Sequence, residues 1–180
     1  MTIDLLPGRG LRLPAPLPEL PFGLTEAEVR RLLAPHDDVL GGILAPAFVC
    51  RSTWALGFTL PGLSVDLSGW DDGTFAFVSV SRHPSPDESP CPVGVYGVDV
   101  FGWPAEEVVA ALRAEGLDVP DLSGRNLRFG PLHLSVRTVA RPAGAIASHR
   151  TAAQGRRKPR HEPPFTFDFV SLSAENTDSP

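Results

Sequence analysis

The chain has few of the residues and motifs by which enzymes and metal sites are recognised. Its 180 residues include two cysteines, one methionine and one tyrosine. Cys50 and Cys91 lack the CxxC spacing of zinc and redox sites, so we expect buried or incidental thiols. The five histidines share no metal-ligand spacing, and no Gly-x-Ser-x-Gly element marks a hydrolase nucleophile. The sequence therefore predicts a non-enzymatic protein without catalytic residues, metal ligands or a cofactor.

Long apolar runs are also absent. No stretch approaches the roughly 18 apolar residues that a membrane-spanning helix needs. The N-terminal residues lack the basic start and apolar centre of a secretory signal. We therefore expect a cytoplasmic protein that does not engage a membrane. Its composition, 42% hydrophobic and 21% charged, is typical of a globular domain.

Positive charge is scarce outside one segment. The formal net charge is −5, yet segment 140–164 carries six basic residues against one acid, a net of +5, which leaves −10 for the remainder. Nucleic-acid binding needs clustered Lys and Arg, so the acidic remainder is a poor surface for it. The segment has almost no large apolar side chains, and we expect a mobile loop. Its basic residues are either a candidate partner-binding element or a solvated loop without a partner: Arg156, Arg157, Lys158 and Arg160.

What the chain does contain is a pattern that occurs twice. Residues 22–33, FGLTEAEVRRLL, return as FGWPAEEVVAAL at 101–112, with five of the twelve positions identical. Residues 75–81, FAFVSVS, return as FDFVSLS at 167–173, with five of seven identical. Two matches in the same order indicate a duplicated unit in which a helix precedes strands. The predicted fold class is α+β, with two tandem helix-plus-antiparallel-sheet repeats that share one core.

One helix is predicted near the start of each repeat. The first covers about 26–34, where Thr25 and Glu28 form a capping box at its N-terminus. The second covers about 104–114, with a proline in its first turn. Gly116 is a suitable C-terminal stop, because glycine readily adopts the left-handed conformation that ends many helices.

Alternating apolar and polar residues predict the strands. They lie within 48–60 and over 63–67, 74–81, 93–101, 127–129, 132–139 and 165–173. Clusters of proline, glycine and polar residues separate these elements. The predicted organisation is an extended, proline-rich lead-in (1–20), repeat 1 (21–82), a linker (83–92), repeat 2 (93–173) with the basic loop 140–164 inside it, and a polar tail (174–180).

The aromatic residues of the repeated strands allow two assignments of the sheet faces. The i, i+2 spacing of the Phe pairs places each pair on one face, which we expect to pack under the helices. The members of this face are Phe75, Phe77, Phe167 and Phe169. In the rival assignment the rings form an exposed binding face, and the intervening residues point into the core: Val78, Val80, Val170 and Leu172.

Tryptophan is enriched at binding hot spots, so Trp54, Trp70 and Trp103 are candidates for contact with a partner. Trp70 lies at the mouth of the predicted hairpin and is expected to be partly exposed. Trp103 occupies the repeat position of Leu24, and core packing is expected for it. Trp70 is therefore the candidate partner-binding aromatic.

The repeated Phe-Gly-x-x-x-x-Glu-Val-x-x-x-Leu pattern, followed by a strand hairpin, resembles the tandem helix-plus-sheet plan of the β-lactamase inhibitory protein family. It is also similar to the small outer-membrane lipoprotein repeats that share this plan. The string VDVFGWPAEEVV at 98–109 looks like one found in uncharacterised actinobacterial proteins. The resemblance covers residues 21–173 and implies the fold and a protein-binding role, without transferring any functional residue.

The preferred functional interpretation is an intracellular protein-interaction module whose partner is another protein, with an inhibitor or an immunity-type protein as concrete forms. One alternative is a small-ligand-binding or enzymatic domain with a site between the sheet and the 140–164 loop. A second alternative is nucleic-acid contact through that basic loop, which the acidic remainder disfavours.

Overall fold

The computed structural model describes residues 2–40, 52–70, 72–83, 91–136 and 165–174, together with the backbone of 45–46. The helices are α1 (Glu26–Leu33) and α2 (Ala105–Ala114), and a short 3₁₀ turn covers Ala34–His36. The strands are β1 (Ile3–Leu6), β2 (Gly10–Arg12), β3 (Glu19–Pro21), β4 (Ala45–Pro46), β5 (Trp54–Leu60), β6 (Leu63–Gly69), β7 (Phe75–Arg82), β8 (Val93–Val95), β9 (Val98–Asp99), β10 (Asn126–Phe129), β11 (Leu132–Ser135) and β12 (Phe169–Ser173). The basic loop 140–164, most of the linker and the tail lie outside the described residues.

Helix α1 begins as the sequence predicts. The Thr25 hydroxyl accepts a hydrogen bond from the Glu28 amide at 3.4 Å, and the Glu28 carboxylate accepts from the Thr25 amide at 2.9 Å. These bonds satisfy donors that a helix N-terminus otherwise leaves free. The Thr25 amide and the Thr25 hydroxyl, which donates at 2.8 Å, both bind the Glu28 carboxylate and hold its pKa below the ordinary value, because they stabilise the ionised form. Val29 and Leu33 belong to the apolar stripe of the helix, and both are buried in the core.

Helix α2 lies where it is predicted but is capped differently. Pro104 occupies the N-cap position and provides no side-chain hydrogen bond. The Ala105 amide instead donates to the carbonyl of Phe165 at 2.8 Å, so a segment distant in the chain satisfies this helix end. Gly116 has φ +82° directly after the helix, which confirms the predicted stop. Val108 is fully buried on the inward face.

The larger sheet has seven strands in the order β10-β11-β12-β7-β6-β5-β4, with every neighbouring pair antiparallel. The predicted hairpin of β6 and β7 is confirmed, and Gly73 takes φ +76° in its turn. The predicted final strand is too long, because the sheet ladder begins only at Phe169. Residues 165–168 leave the ladder and reach the start of α2, where Thr166 bridges Pro104.

The smaller sheet has five strands in the order β3-β2-β1-β8-β9. The lead-in residues supply three of them, and β1 pairs in parallel with β8. The single strand predicted over 93–101 is wrong. It folds back as the hairpin of β8 and β9, with Tyr96 at φ 50° and Gly97 at φ 79° in the turn. Two central residues with positive φ are typical of a tight type I′ hairpin, and tyrosine is an unusual residue for that conformation.

One continuous hydrophobic core contains residues from both sheets and both helices. The seven-stranded sheet contributes most of one face to it, and thirteen residues of this core face are each at most 6% exposed. The core face consists of Leu56, Phe58, Leu60, Leu63, Val65, Leu67, Val78, Val80, Leu127, Leu132, Leu134, Val170 and Leu172. The molecule is therefore an α+β protein dominated by antiparallel sheet. No helix among the described residues is long and apolar enough to span a membrane.

Candidate functional site

The opposite face of the seven-stranded sheet is built largely from small polar residues. Successive strand residues point to opposite faces, so each inward Val or Leu alternates with an outward residue. We call this outward surface the serine face. Its members on four adjacent strands are Ser64, Asp66 and Ser68 on β6, Phe77, Ser79 and Ser81 on β7, Phe169, Ser171 and Ser173 on β12, and His133 and Ser135 on β11. The flanking strands add Ala55, Gly57 and Thr59 on β5 and Asn126 and Arg128 on β10.

The four repeated phenylalanines do not share one face, which corrects the expectation that they do. Phe75 is fully buried in the core, whereas Phe77 lies opposite Ser68 on the serine face. The ladder between β6 and β7 shifts register at Ser68/Gly69. This bulge places one extra residue in β7, so the i, i+2 rule fails between the two rings.

The second pair divides in the same way. Phe167 lies before β12 and belongs to the core, and Phe169 lies opposite Ser81 on the serine face. Val78 and Val170 are fully buried on the inward side, as the rival assignment has it. Phe77 and Phe169 are thus outward residues of a sheet whose valines face the core.

A lateral row of polar side chains crosses the middle of the serine face. Ser79 and Ser171 lie opposite each other at its centre, with Asp66 beyond the first and His133 beyond the second. The Ser79 hydroxyl donates to Asp66 Oδ2 at 3.5 Å. His133 pairs through Nε2 with Asn126 Oδ1 at 3.3 Å.

This row does not form a Ser–His–Asp triad. A triad needs the base within hydrogen-bond reach of the nucleophile and the acid directly behind the base. Here Asp66 and His133 flank the serine pair from opposite sides, three strand spacings or about 14 Å apart. The row therefore presents hydrogen-bond donors and acceptors without the geometry that activates a nucleophile.

Several residues of the serine face are buried. Ser68 is 0% exposed, and Ser79, Ser135 and Ser171 are each 6% exposed. The Ser68 Oγ is buried without a hydrogen-bond partner among the described residues. Phe169 is also buried, and the ring of His133 contacts it edge-on at a centroid distance of 5.8 Å.

Trp70 stands at the edge of this face, directly after β6. Its ring is 38% exposed and stacks on Phe77, with centroids 6.0 Å apart and an interplanar angle of 18°. The Trp70 carbonyl accepts hydrogen bonds from the Gly73 amide at 2.6 Å and the Thr53 hydroxyl at 3.1 Å. The main chain of Trp70 is therefore fixed while part of its ring faces solvent.

A second tryptophan, Trp54, contacts the turn that follows Trp70. Trp54 Nε1 donates to the Gly73 carbonyl at 2.7 Å. Its ring lies so close to Gly69 that a Cβ there would overlap the indole. The glycine at the bulge is thus required by the close approach of the Trp54 ring.

The other predicted features have different outcomes. Trp103 is 47% exposed, so the expectation that it packs in the core is wrong. Phe101, two residues earlier, is fully buried and fills the core at this point. Cys91 is buried, and burial raises the pKa of its thiol, so the thiolate is disfavoured. The basic candidates Arg156, Arg157, Lys158 and Arg160 lie outside the described residues.

Sequence reasoning did not single out His133, Asp66 or the serines as a site. The signal was the outward phase of the alternation, in which each of β6, β7 and β12 has two serines at its outward positions. Among the described residues there is also no cluster of three or more side chains suited to hold a metal ion.

No protein-family model, no curated protein and no solved structure matches the chain.

Proposed function

We propose that the chain is a non-enzymatic protein-binding module and that the serine face, with Trp70 at its edge, receives the partner. The observation that carries the proposal is the pairing of Trp70 with Phe77. A partly exposed tryptophan, held rigidly at the rim of a polar surface, is the kind of anchor that dominates protein interfaces.

The chemistry of the face suits a protein partner. Short serine side chains allow close approach of another surface, and their hydroxyls both donate and accept hydrogen bonds. Polar strand residues with limited exposure also lose little side-chain entropy on binding, because serine has few rotamers. The interaction is therefore specified by hydrogen bonds and shape around one aromatic anchor.

The sheet pairing also supports our proposal that the chain arose by duplication. Offset by 92 residues, β7 maps onto β12, and these two strands are neighbours in the sheet. The ladder pairs Ser79 with Ser171, and Phe77 and Phe169 pair with Ser173 and Ser81. If each residue of β7 is replaced by its equivalent in β12, and the reverse, the same set of pairs results. A local two-fold axis between Ser79 and Ser171 requires this.

Further pairs follow the same relation. Leu56, Leu67 and Val78 form one lateral row, and Leu127, Leu134 and Val170 form its counterpart. The residue before each buried Phe also bridges the start of a helix, Thr74 to Thr25 and Thr166 to Pro104. We infer two helix-plus-sheet repeats around this axis, consistent with the resemblance to the β-lactamase inhibitory protein plan.

A cytoplasmic inhibitor or immunity-type protein is the concrete form that we propose for this module. Such proteins present a preformed surface and need no catalytic groups, which agrees with the row geometry described above. The serine face and its rigid aromatic rim are preformed in this sense, since they are built on regular strands.

Affinity capture from the native host, with three variants, tests the proposal. Trp70→Ala removes the anchor, and Ser79→Arg places a bulky cation at the centre of the serine face. Trp103→Ala is the matched control, because Trp103 is also exposed, at 47%, but precedes α2. We expect the first two variants to lose the same captured protein and the control to keep it, with melting curves verifying that all three fold. Loss in the control alone, or retention in both serine-face variants, would refute the proposal.

A further inference from the structure

Arg82 lies at the end of strand β7, on the face of the sheet opposite the serine face. It is the last residue of β7 and lies opposite Leu63, so its side chain is directed to the core side of the sheet. The Arg82 amide donates to the Asp168 carbonyl at 2.8 Å. The guanidinium carbon lies 5.3 Å from the centroid of the Phe101 ring, which is fully buried. The backbone and the aromatic ring together fix where this cation lies.

The environment of this guanidinium is unusual for its charge. Arg82 Nε is buried and has no hydrogen-bond partner among the described residues. No described carboxylate lies within ion-pair distance of Arg82, whereas Arg9, Arg12, Arg30 and Arg113 each contact one. A guanidinium carries five N–H donors, and a buried donor left unpaired is destabilising. The stacking on Phe101 offsets only part of that penalty, because it provides no hydrogen-bond acceptor.

We propose that Arg82 is the binding residue for an oxyanion, either a carboxylate or a phosphate group. The Phe101 ring covers one face of the guanidinium. The donors lie in the plane of the guanidinium, where arginine forms two parallel hydrogen bonds to carboxylate or phosphate oxygens. Arg82 as a whole is only partly buried, whereas its Nε is buried, so the oxyanion binds through the two terminal nitrogens and supplies the counter-charge that no described carboxylate provides. This site is independent of the serine face and of the protein partner.

Melting curves and calorimetric titration in three salts test the site. Wild-type protein is compared in phosphate, acetate and chloride at equal ionic strength and pH. We expect one of the two oxyanions to raise the melting temperature over chloride by about 3–5 °C at roughly ten times its Kd. A response to phosphate alone identifies a phosphate site, and a response to acetate alone identifies a carboxylate site.

Two substitutions separate a ligand site from a purely structural stacking contact. Arg82→Met keeps the length and apolar stem of the side chain but removes the donors, so the oxyanion response should vanish. Arg82→Lys keeps the charge but loses the paired hydrogen bonds, and the affinity should fall about tenfold. Arg128→Met, at an exposed arginine of β10, is the control and should respond like the wild type.

The outcomes divide clearly. An oxyanion response that is present in the wild type and in Arg128→Met, lost in Arg82→Met and weakened in Arg82→Lys supports the site. Equal responses in the wild type and Arg82→Met would overturn it, as would the absence of any response beyond that to chloride. If Arg82→Met does not fold, the tenfold weakening in Arg82→Lys decides the question by titration alone.

Discussion

The two faces of the seven-stranded sheet are made by the same strands and have opposite chemistry. On β12, Val170 and Leu172 are fully buried in the core, while their neighbour Ser171 faces the other way. Successive residues of a strand point to opposite faces of the sheet. A shift of the strand by one residue would therefore exchange the residues on the two faces. The core face carries the large apolar side chains of the sheet, and the serine face carries its small polar ones. Substitutions on the two faces should consequently have very different effects.

The largest effect is expected at the buried phenylalanines. Phe75→Ala and Phe167→Ala should each lower the free energy of unfolding by about 3–5 kcal/mol, because they remove a fully buried ring and leave a cavity. Phe77→Ala is the matched control on the serine face and should lose less than half as much. Denaturant melts measure the differences. Equal losses at positions 75 and 77 would contradict the assignment of the faces.

A sharper comparison uses two adjacent residues of one strand. Val170→Ala should cost about 2 kcal/mol, since it removes buried apolar surface on the core face. Ser171→Ala, one residue further, removes a hydroxyl and no apolar surface, so it should cost less than half as much. Urea titrations of the two variants provide the test. A larger loss for Ser171→Ala would mean that the serine face is structural.

The N-cap of α1 should contribute a smaller and pH-dependent amount. Thr25→Ala should cost about 1 kcal/mol at neutral pH. The folded-state pKa of Glu28 is lowered by the bonds from the Thr25 amide and the Thr25 hydroxyl. Thr25→Ala removes only the hydroxyl bond, whose share of the stability is present above the unfolded pKa and is lost as the pH falls through the folded one. The gap between the wild type and Thr25→Ala should therefore narrow in acid. A gap that stays constant between neutral and strongly acidic pH would show that the Thr25 hydroxyl does not bind the Glu28 carboxylate.

The smallest effect is expected at Ser68. Its buried hydroxyl has no hydrogen-bond partner among the described residues, so Ser68→Ala removes an unsatisfied polar atom. Stability should be unchanged or raised by up to about 1 kcal/mol. Thermal melts in dilute buffer suffice. A clear loss of stability would show that this hydroxyl has an acceptor in solution.

Local signals explain most of what the sequence predicted correctly. The Thr25–Glu28 capping box, the stop at Gly116 and the β6–β7 hairpin all depend on residues close together in the chain. The faces of the sheet were harder to assign. The Phe residues are the largest apolar groups near β7 and β12, so their size favoured the face that carries them as the core face. The bulge at Ser68/Gly69 is a property of two paired strands and leaves no mark in either strand alone.

The missed elements have the same cause. The strands of the lead-in are short, and β1 is stabilised by parallel pairing with β8, nearly ninety residues away. No local pattern encodes such a partner. The turn at Tyr96 likewise contradicts local preference, since tyrosine rarely adopts positive φ. The alternation in the sequence shows that the serines of β6, β7 and β12 lie on one face of the sheet. The sequence does not show which face packs against the core, so it could not identify the serine face as a candidate site.

The most direct measurement places a photo-crosslinking phenylalanine analogue at position 70 in the native host. The aromatic replacement preserves the stacking on Phe77, and the same analogue at position 103 is the control. The serine-face account predicts one discrete protein adduct from position 70, abolished by Ser79→Arg, and none from position 103. An adduct from position 103 alone, or an adduct from position 70 that Ser79→Arg leaves unchanged, would contradict it.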